Sequence, residues 1–167
     1  MIRDILPTDR SSWERLFLAY GVFYETAFEP HVIDGVWAWL MDAAAPVSAV
    51  VAVADLGDKA SNDGADDPSD TAAADRTSGA AMPVIGFAHY RRTVDTFTAG
   101  PAWHLDDLFV DPGARNGGYA TALIQGVAER AAAAGGGTLR WITAADNLAA
   151  QRIYDRVANR TTWVTYE

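Results

Sequence analysis

Residues 102–137, "AWHLDDLFVDPGARNGGYATALIQGVAERAAAAGGG", change their hydrophobic period once and abruptly. Up to Asp111 the segment reads as a strand, closed by Pro112. From Tyr119 it reads as a helix, with Ala120, Leu123, Ile124 and Val127 on one face and Gly135–Gly137 as its stop. Between the two, Arg115, Asn116, Gly117 and Gly118 place the least helix-forming residues directly before a helix start. Strand and helix in such close succession point to an α/β chain.

The rest of the sequence alternates in the same manner. "IRDIL" (Ile2–Leu6) predicts a short strand stopped by Pro7, and Thr8 or Asp9 caps a helix carrying Trp13, Leu16, Phe17 and Tyr20 at helical spacing. After a break at Phe23–Pro30 a second helix carries Val36, Trp37, Leu40 and Met41. "VSAVVAVAD" (Val47–Asp55) and "VIGFAHYRR" (Val84–Arg92) predict buried strands. Beyond the central helix, "TLRWITAAD" (Thr138–Asp146) predicts a strand and "NLAAQRIYDRVA" (Asn147–Ala158) a helix capped by Asn147. "TTWVTYE" predicts a closing strand. Together these give one domain over residues 1–167, with a mixed sheet flanked by helices.

One segment breaks the alternation. Residues 56–82 are acidic, rich in small residues and free of aromatics, so they cannot bury enough apolar area to offset their ordering, and the expectation is a mobile loop insert. Between Asp55 and Arg76 seven aspartates face only Lys59 and Arg76, which accounts for −5 of the net charge of −9. The mildly acidic remainder argues against nucleic-acid binding through a basic face. No apolar run is long enough to span a bilayer, and "MIRDILPTDR" lacks the core of a signal peptide. With no cysteine there is neither a thiolate metal site nor a thiol nucleophile. The expectation is a cytoplasmic protein with no membrane partner and no metal.

Two readings of the glycine loop compete. One is a plain turn. The other is an anion cradle, in which the unpaired N–H groups of a helix start meet a phosphate, Gly117 and Gly118 let the backbone curl, and Arg115 adds a charged fork. The segment is not a triphosphate P-loop, because no Lys-Ser/Thr follows the glycines, and its spacing is not that of a dinucleotide fingerprint.

Arg115-Asn116-Gly117-Gly118-Tyr119-Ala120, preceded by "LFVDP" and followed some thirty residues later by Asn147, Ala150 and Tyr154, resembles the acyl-CoA-binding half of the GNAT N-acetyltransferase superfamily. "AYGVFYE" and "WAWLMD" resemble small-molecule members, and the ending "YDRVANRTTWVTY" resembles a subgroup that acetylates amino acids or polyamines. The resemblance implies a mostly antiparallel sheet with a splayed central strand pair holding acetyl-CoA. It implies a small-molecule primary amine as acceptor and leaves a homodimer open. Leu108, Phe109 and Val110 would pair with the pantetheine arm, Arg115–Ala120 and Thr121 would hold the pyrophosphate, and Asn147 would bond the arm as well as cap its helix.

By the same resemblance, Tyr154 protonates the departing thiolate; otherwise it is a core tyrosine beside Ile153. Asp106 stands where polyamine-type members carry a glutamate base, with Asp107 as fallback and His104 as a helper on the Asp106 face. Neighbours on a strand face opposite sides, so only one of the two aspartates is expected to point at the acceptor. Glu25 and Glu29 with the aromatics of residues 23–40 would suit an ammonium-bearing acceptor. A non-catalytic acyl-CoA-binding or regulatory domain, and a protein-lysine acetyltransferase, are the alternatives.

Overall fold

The computed structural model describes residues 1–54 and 82–166. The expected insert at 56–82 therefore lies, except for Met82, outside the described residues. The elements run β1 (Ile2–Asp4), α1 (Arg10–Phe23), α2 (Pro30–Met41), β2 (Val47–Val53), β3 (Val84–Asp95), β4 (Gly100–Val110), α3 (Tyr119–Ala133), β5 (Leu139–Arg140) and α4 (Leu148–Val157). The sheet has the order β1-β2-β3-β4-β5, antiparallel as far as β4, with β5 parallel to β4. The expected mixed, mostly antiparallel α/β sheet is what forms. No described helix is long and apolar enough to cross a membrane.

Alternation along β2 decides which helix packs where. Val50 and Ala52 face α3, where Leu123, Ile124 and Val127 close the core. Val51 and Val53 face the other way, against Trp13, Leu16 and Phe17 of α1 and Ile33 of α2. A fully buried Leu or Val such as Leu123 or Val127 contributes about 1.5–3 kcal/mol relative to its exposed state. The two apolar faces of the sheet thus sandwich it between α3 on one side and the α1–α2 pair on the other.

One irregularity in this pattern shapes the site. Between β3 and β4 the register slips, so that His89 opposes Asp107 but Tyr90 opposes Leu105. Asp106 is the extra residue of a β-bulge. As a result Trp103 and Leu105 belong to the α3 core, whereas Phe109, on the same odd-numbered series, belongs to the α1–α2 core.

Two expected strands are cut back. Thr138–Asp146 pairs only at Leu139 and Arg140, opposite Trp103 and His104; past the bulge β4 and the following chain diverge. This is the splayed pair, and it lies at the edge of the described sheet because no strand forms beyond it. Residues 161–166 are not a strand. A two-residue β5 offers no edge long enough to pair with them, and Trp163 and Tyr166 are left almost fully exposed. Gly137, at φ 104°, brings the chain so close to β4 that a Cβ would fall 2.0 Å from the Pro101 carbonyl oxygen.

Asp9 precedes α1 as expected but does not cap it with its side chain. Its carboxylate turns back to accept the Leu6 N–H at 2.8 Å and N–H groups from Nη1 and Nη2 of Arg3 at 2.6 and 2.8 Å. Burial pushes the acid up, yet the Arg3 hydrogen bonds, the Leu6 amide and the Arg3 charge hold it below its ordinary value. A depressed acid stabilises the fold above its unfolded pKa of about 4, and that stability is lost as pH falls through the folded value. Asp9→Asn is expected to cost about 3 kcal/mol, the low end for one partner of a buried pair because Arg3 is partly exposed. Denaturant titrations should show the loss at neutral pH and its disappearance in acid.

Candidate active site

The turn after β4 is built by its own polar residues. Asp111 accepts the Gly113 N–H at 3.0 Å, which shapes the single turn Pro112–Ala114, and its other oxygen takes Arg15 of α1 at 2.6 Å. Asn116 and Gly118 then both adopt left-handed backbone, at φ 67° and 77°, and α3 starts with Ala122 N–H bonding to Gly118 O at 3.0 Å. Asparagine tolerates this conformation and glycine has no barrier to it. Among the described residues, a Cβ on Gly118 would meet no atom within 4 Å beyond its chain neighbours and its own helix backbone. The space beside the helix start, where N–H groups lack intrahelical partners, is open.

That space is one end of a cleft of about 530 Å³. Leu108, Phe109 and Val110 of β4 form one wall, and Arg115, Asn116, Gly118, Tyr119, Ala120 and Thr121 form the mouth at α3. Asn147 and Tyr154 enter from α4. The structure therefore gathers into one cleft eleven residues singled out in the sequence. Gly117 and Asp106 lie outside it, Gly117 because it faces the Tyr119 ring. Arg115 lies over the Phe109 ring, its guanidinium carbon 5.8 Å from the centroid.

Asn147 is engaged in local structure. Its Oδ1 accepts the Ala150 N–H at 3.2 Å as the cap of α4, and its Nδ2 donates to Thr143 Oγ1 at 3.3 Å. A second Nδ2 hydrogen is left for any group in the cleft. Tyr154 packs edge-to-face on Trp141, centroids 5.5 Å apart. Burial, with a smaller contribution from Tyr24, pushes its phenol up to about 12.

The two aspartates behave differently from the strand rule. Because Asp106 is the bulge residue, both carboxylates turn to the α1–α2 side of the sheet. Asp106 pairs with Arg91 at 3.1 Å and stands 3.9 Å from His104. Burial raises its pKa against the opposing pull of those two neighbours. Asp107 meets His89 Nδ1 at 2.9 Å. Burial pushes Asp107 up, but the His89 hydrogen bond and charge, with the smallest contribution from Tyr20, hold it below the ordinary range.

Residues 33–158 match the Acetyltransferase (GNAT) family. The chain belongs to this family. It is 27% identical to the D-amino-acid N-acetyltransferase HPA3 of Saccharomyces cerevisiae over 167 residues, all of this chain and 89% of that protein. Its fold is similar to a probable acetyltransferase, at TM-score 0.75 and 19% identity, covering 100% of this chain and 95% of the other. It is also similar to AAC(6')-Iy in complex with a bisubstrate CoA analogue, at TM-score 0.74 and 18% identity, with 100% and 95% covered. The ribosomal-protein-alanine N-acetyltransferase of Brucella melitensis biovar Abortus 2308 gives 0.73 at 17% identity, with 100% and 96% covered.

The GNAT cleft also contains residues that sequence reasoning assigned elsewhere. Tyr20, read as core, lines it, together with Phe23 and Tyr24 at the end of α1, two of the aromatics expected at the acceptor. In contrast, the aromatics of α2 do not reach it: Trp37 packs on Trp13 at 5.1 Å between centroids, and Trp39 faces outward. Glu25 and Glu29 are exposed and outside the cleft. His89 had drawn no role, although a lone histidine inside the apolar run "VIGFAHYRR" was the available signal.

Proposed function

We propose that this GNAT protein is an acetyl-CoA-dependent N-acetyltransferase that acts on the primary amine of a small molecule. The observation that carries the reading is the cleft itself. It joins the open N-terminus of α3, the free edge of β4 beyond its last pair with β5, and the Tyr154 hydroxyl. The residues suit the coenzyme: the space a Gly118 Cβ would occupy is open, and it lies beside the start of α3, where N–H groups without intrahelical partners suit a pyrophosphate. Acetyl-CoA, when bound, supplies an acyl group on a good thiol leaving group.

In this reading Arg115, Asn116, Gly117, Gly118, Tyr119, Ala120 and Thr121 hold the pyrophosphate. Backbone groups of Leu108, Phe109 and Val110 align the pantetheine arm, and Asn147 adds one donor. Tyr154 offers its hydroxyl to the sulfur as it leaves. The acceptor's proton falls to the acidic pair on the β4 bulge, Asp106 or Asp107, neither of which lines the cleft. The likeness to a D-amino-acid N-acetyltransferase supports a small amine over a protein lysine. Residues 1–167 as a single acetyltransferase domain are part of the same proposal.

Thiol release from acetyl-CoA should be measured against D- and L-amino acids, polyamines and lysine peptides. Turnover with a free amine is the expected result. Turnover with peptides alone would replace the acceptor class, and tight coenzyme A binding without turnover would indicate a non-catalytic domain.

A further inference from the structure

Among the described residues four arginines pair with no carboxylate: Arg92, Arg115, Arg152 and Arg156. Three of the four line the cleft, and no aspartate or glutamate lines it with them. The cleft is thus a cationic surface in a chain of net charge −9. A concave wall carrying one sign of charge concentrates anions and repels cations. Arg115 stands at the α3 mouth, where the pyrophosphate is assigned. Arg152 and Arg156, on α4, have no task in that assignment.

Helical spacing shows where these two stand. Four residues apart, Arg152 and Arg156 share one flank of α4 with Ala149. Tyr154, two residues from each, lies about 160° round the helix from both. All of them line the cleft, as do Ala150 and Ile153 between the two flanks, so the cleft curves around α4. Tyr154 and Asn147 are partly buried on its inner side, while both arginines are exposed on its outer side. The remaining face of α4 is closed on itself. Asp155, the single carboxylate of this helix, pairs with Arg160 at 3.1 Å, and Gln151 Oε1 accepts from the same guanidinium at 3.0 Å. Arg152 and Arg156 are left as two like charges one turn apart. That spacing disfavours a helix, and an anion held between them reverses the penalty.

Coenzyme A carries its charge in two places, a pyrophosphate and a 3′-phosphate on the adenosine ribose. Resting on the acetyl-CoA reading above, we infer that Arg152 and Arg156 form the site for the 3′-phosphate. A phosphate monoester is a dianion with three acceptor oxygens, and two guanidinium forks one turn apart match it. The carboxylate of an amino-acid acceptor is the other anion to consider. Its amine must meet the thioester on the Tyr154 side of α4, whereas both arginines occupy the opposite flank. The consequence is selectivity: the cleft prefers the 3′-phosphorylated coenzyme to its 3′-dephospho form.

Calorimetric titration with coenzyme A and with 3′-dephospho-coenzyme A, on the parent and on the double variant Arg152→Gln/Arg156→Gln, tests the site. Glutamine keeps the helix propensity of arginine and both positions are exposed, so α4 should persist. The parent is expected to bind coenzyme A about tenfold more tightly than the dephospho form, the scale of two exposed ion pairs. That preference should shrink as salt rises. The double variant should bind the two ligands alike, with its effect on acetyl-CoA turnover carried by KM. Arg160→Gln, which removes a charge from the Asp155 face of the same helix, should keep the parent's preference. Equal losses for both ligands would assign the arginines to the pyrophosphate and overturn the inference. A raised KM for the amine with unchanged coenzyme affinity would assign them to the acceptor and overturn it too. Unaltered binding in the double variant, or the same loss in Arg160→Gln, would leave no 3′-phosphate site on α4. A folded parent that binds neither ligand would overturn the acetyl-CoA reading itself, and this site with it.

Discussion

Tyr154→Phe is expected to lower the maximal rate at least about a hundredfold and to leave coenzyme A affinity unchanged. The argument rests on where the phenol stands and on its charge state. Tyr154 is wedged against Trp141 and lines the cleft, so phenylalanine retains the packing and removes only the hydroxyl. Burial raises its pKa to about 12, which keeps the group protonated throughout the working range. An acid must carry its proton to act, so its alkaline limb should lie near pH 12 instead of near the ordinary value of about 10. The raised value also makes it a weaker acid than an ordinary phenol. In the proposed role it would stabilise the sulfur chiefly by hydrogen bonding and yield the proton late. A pH profile of kcat should therefore show no fall between about pH 9 and 10 assignable to a tyrosine. If the Phe variant retains more than about a tenth of the rate, another group or water protonates the thiolate.

The strand–loop–helix unit was legible because each of its signals is local. Glycine at a left-handed position, a change of period from strand to helix, and Asn147 before α4 all act within a few residues. So the cleft wall, the α3 mouth and Tyr154 came from sequence and converge in space. Asp106 shows where such reading stops. A bulge leaves no mark in the run His104–Leu108; it depends on how β3 and β4 settle their register over the whole hairpin. The rule of alternating faces consequently failed for Asp106 and Asp107. His89 and Trp13 are 76 residues apart, and no local pattern could pair them. The tail fails for the opposite reason. "TTWVTY" has strong strand propensity, but propensity needs a partner edge, and β5 is too short to supply one. The aromatic stripe of α2 was core, as helical spacing of Val36, Trp37 and Leu40 ordinarily is.

Substitution at Gly118 should produce the largest change in coenzyme binding. Its φ of 77° is left-handed, and its missing side chain leaves space open to the start of α3. Valine there faces two penalties. The backbone conformation costs it about 1–2 kcal/mol or more, and its methyl groups enter the space assigned to the pyrophosphate. Losing two charge-assisted hydrogen bonds at about 1.5–3 kcal/mol each implies a drop of roughly 10²–10⁴-fold in affinity. Asparagine separates the penalties. Asn116 already adopts φ 67° two residues earlier, so Gly118→Asn is compatible with the backbone and adds only a side chain. If the open space receives the pyrophosphate, calorimetric titration should show both variants binding coenzyme A far more weakly than the parent. If the loop is merely a turn, Gly118→Asn should bind normally and only Gly118→Val should suffer, through stability. Arg115 sharpens the distinction. Its guanidinium rests over Phe109 at the same mouth, so its removal should weaken coenzyme A more than dephospho-fragments lacking the pyrophosphate, with α3 itself undisturbed.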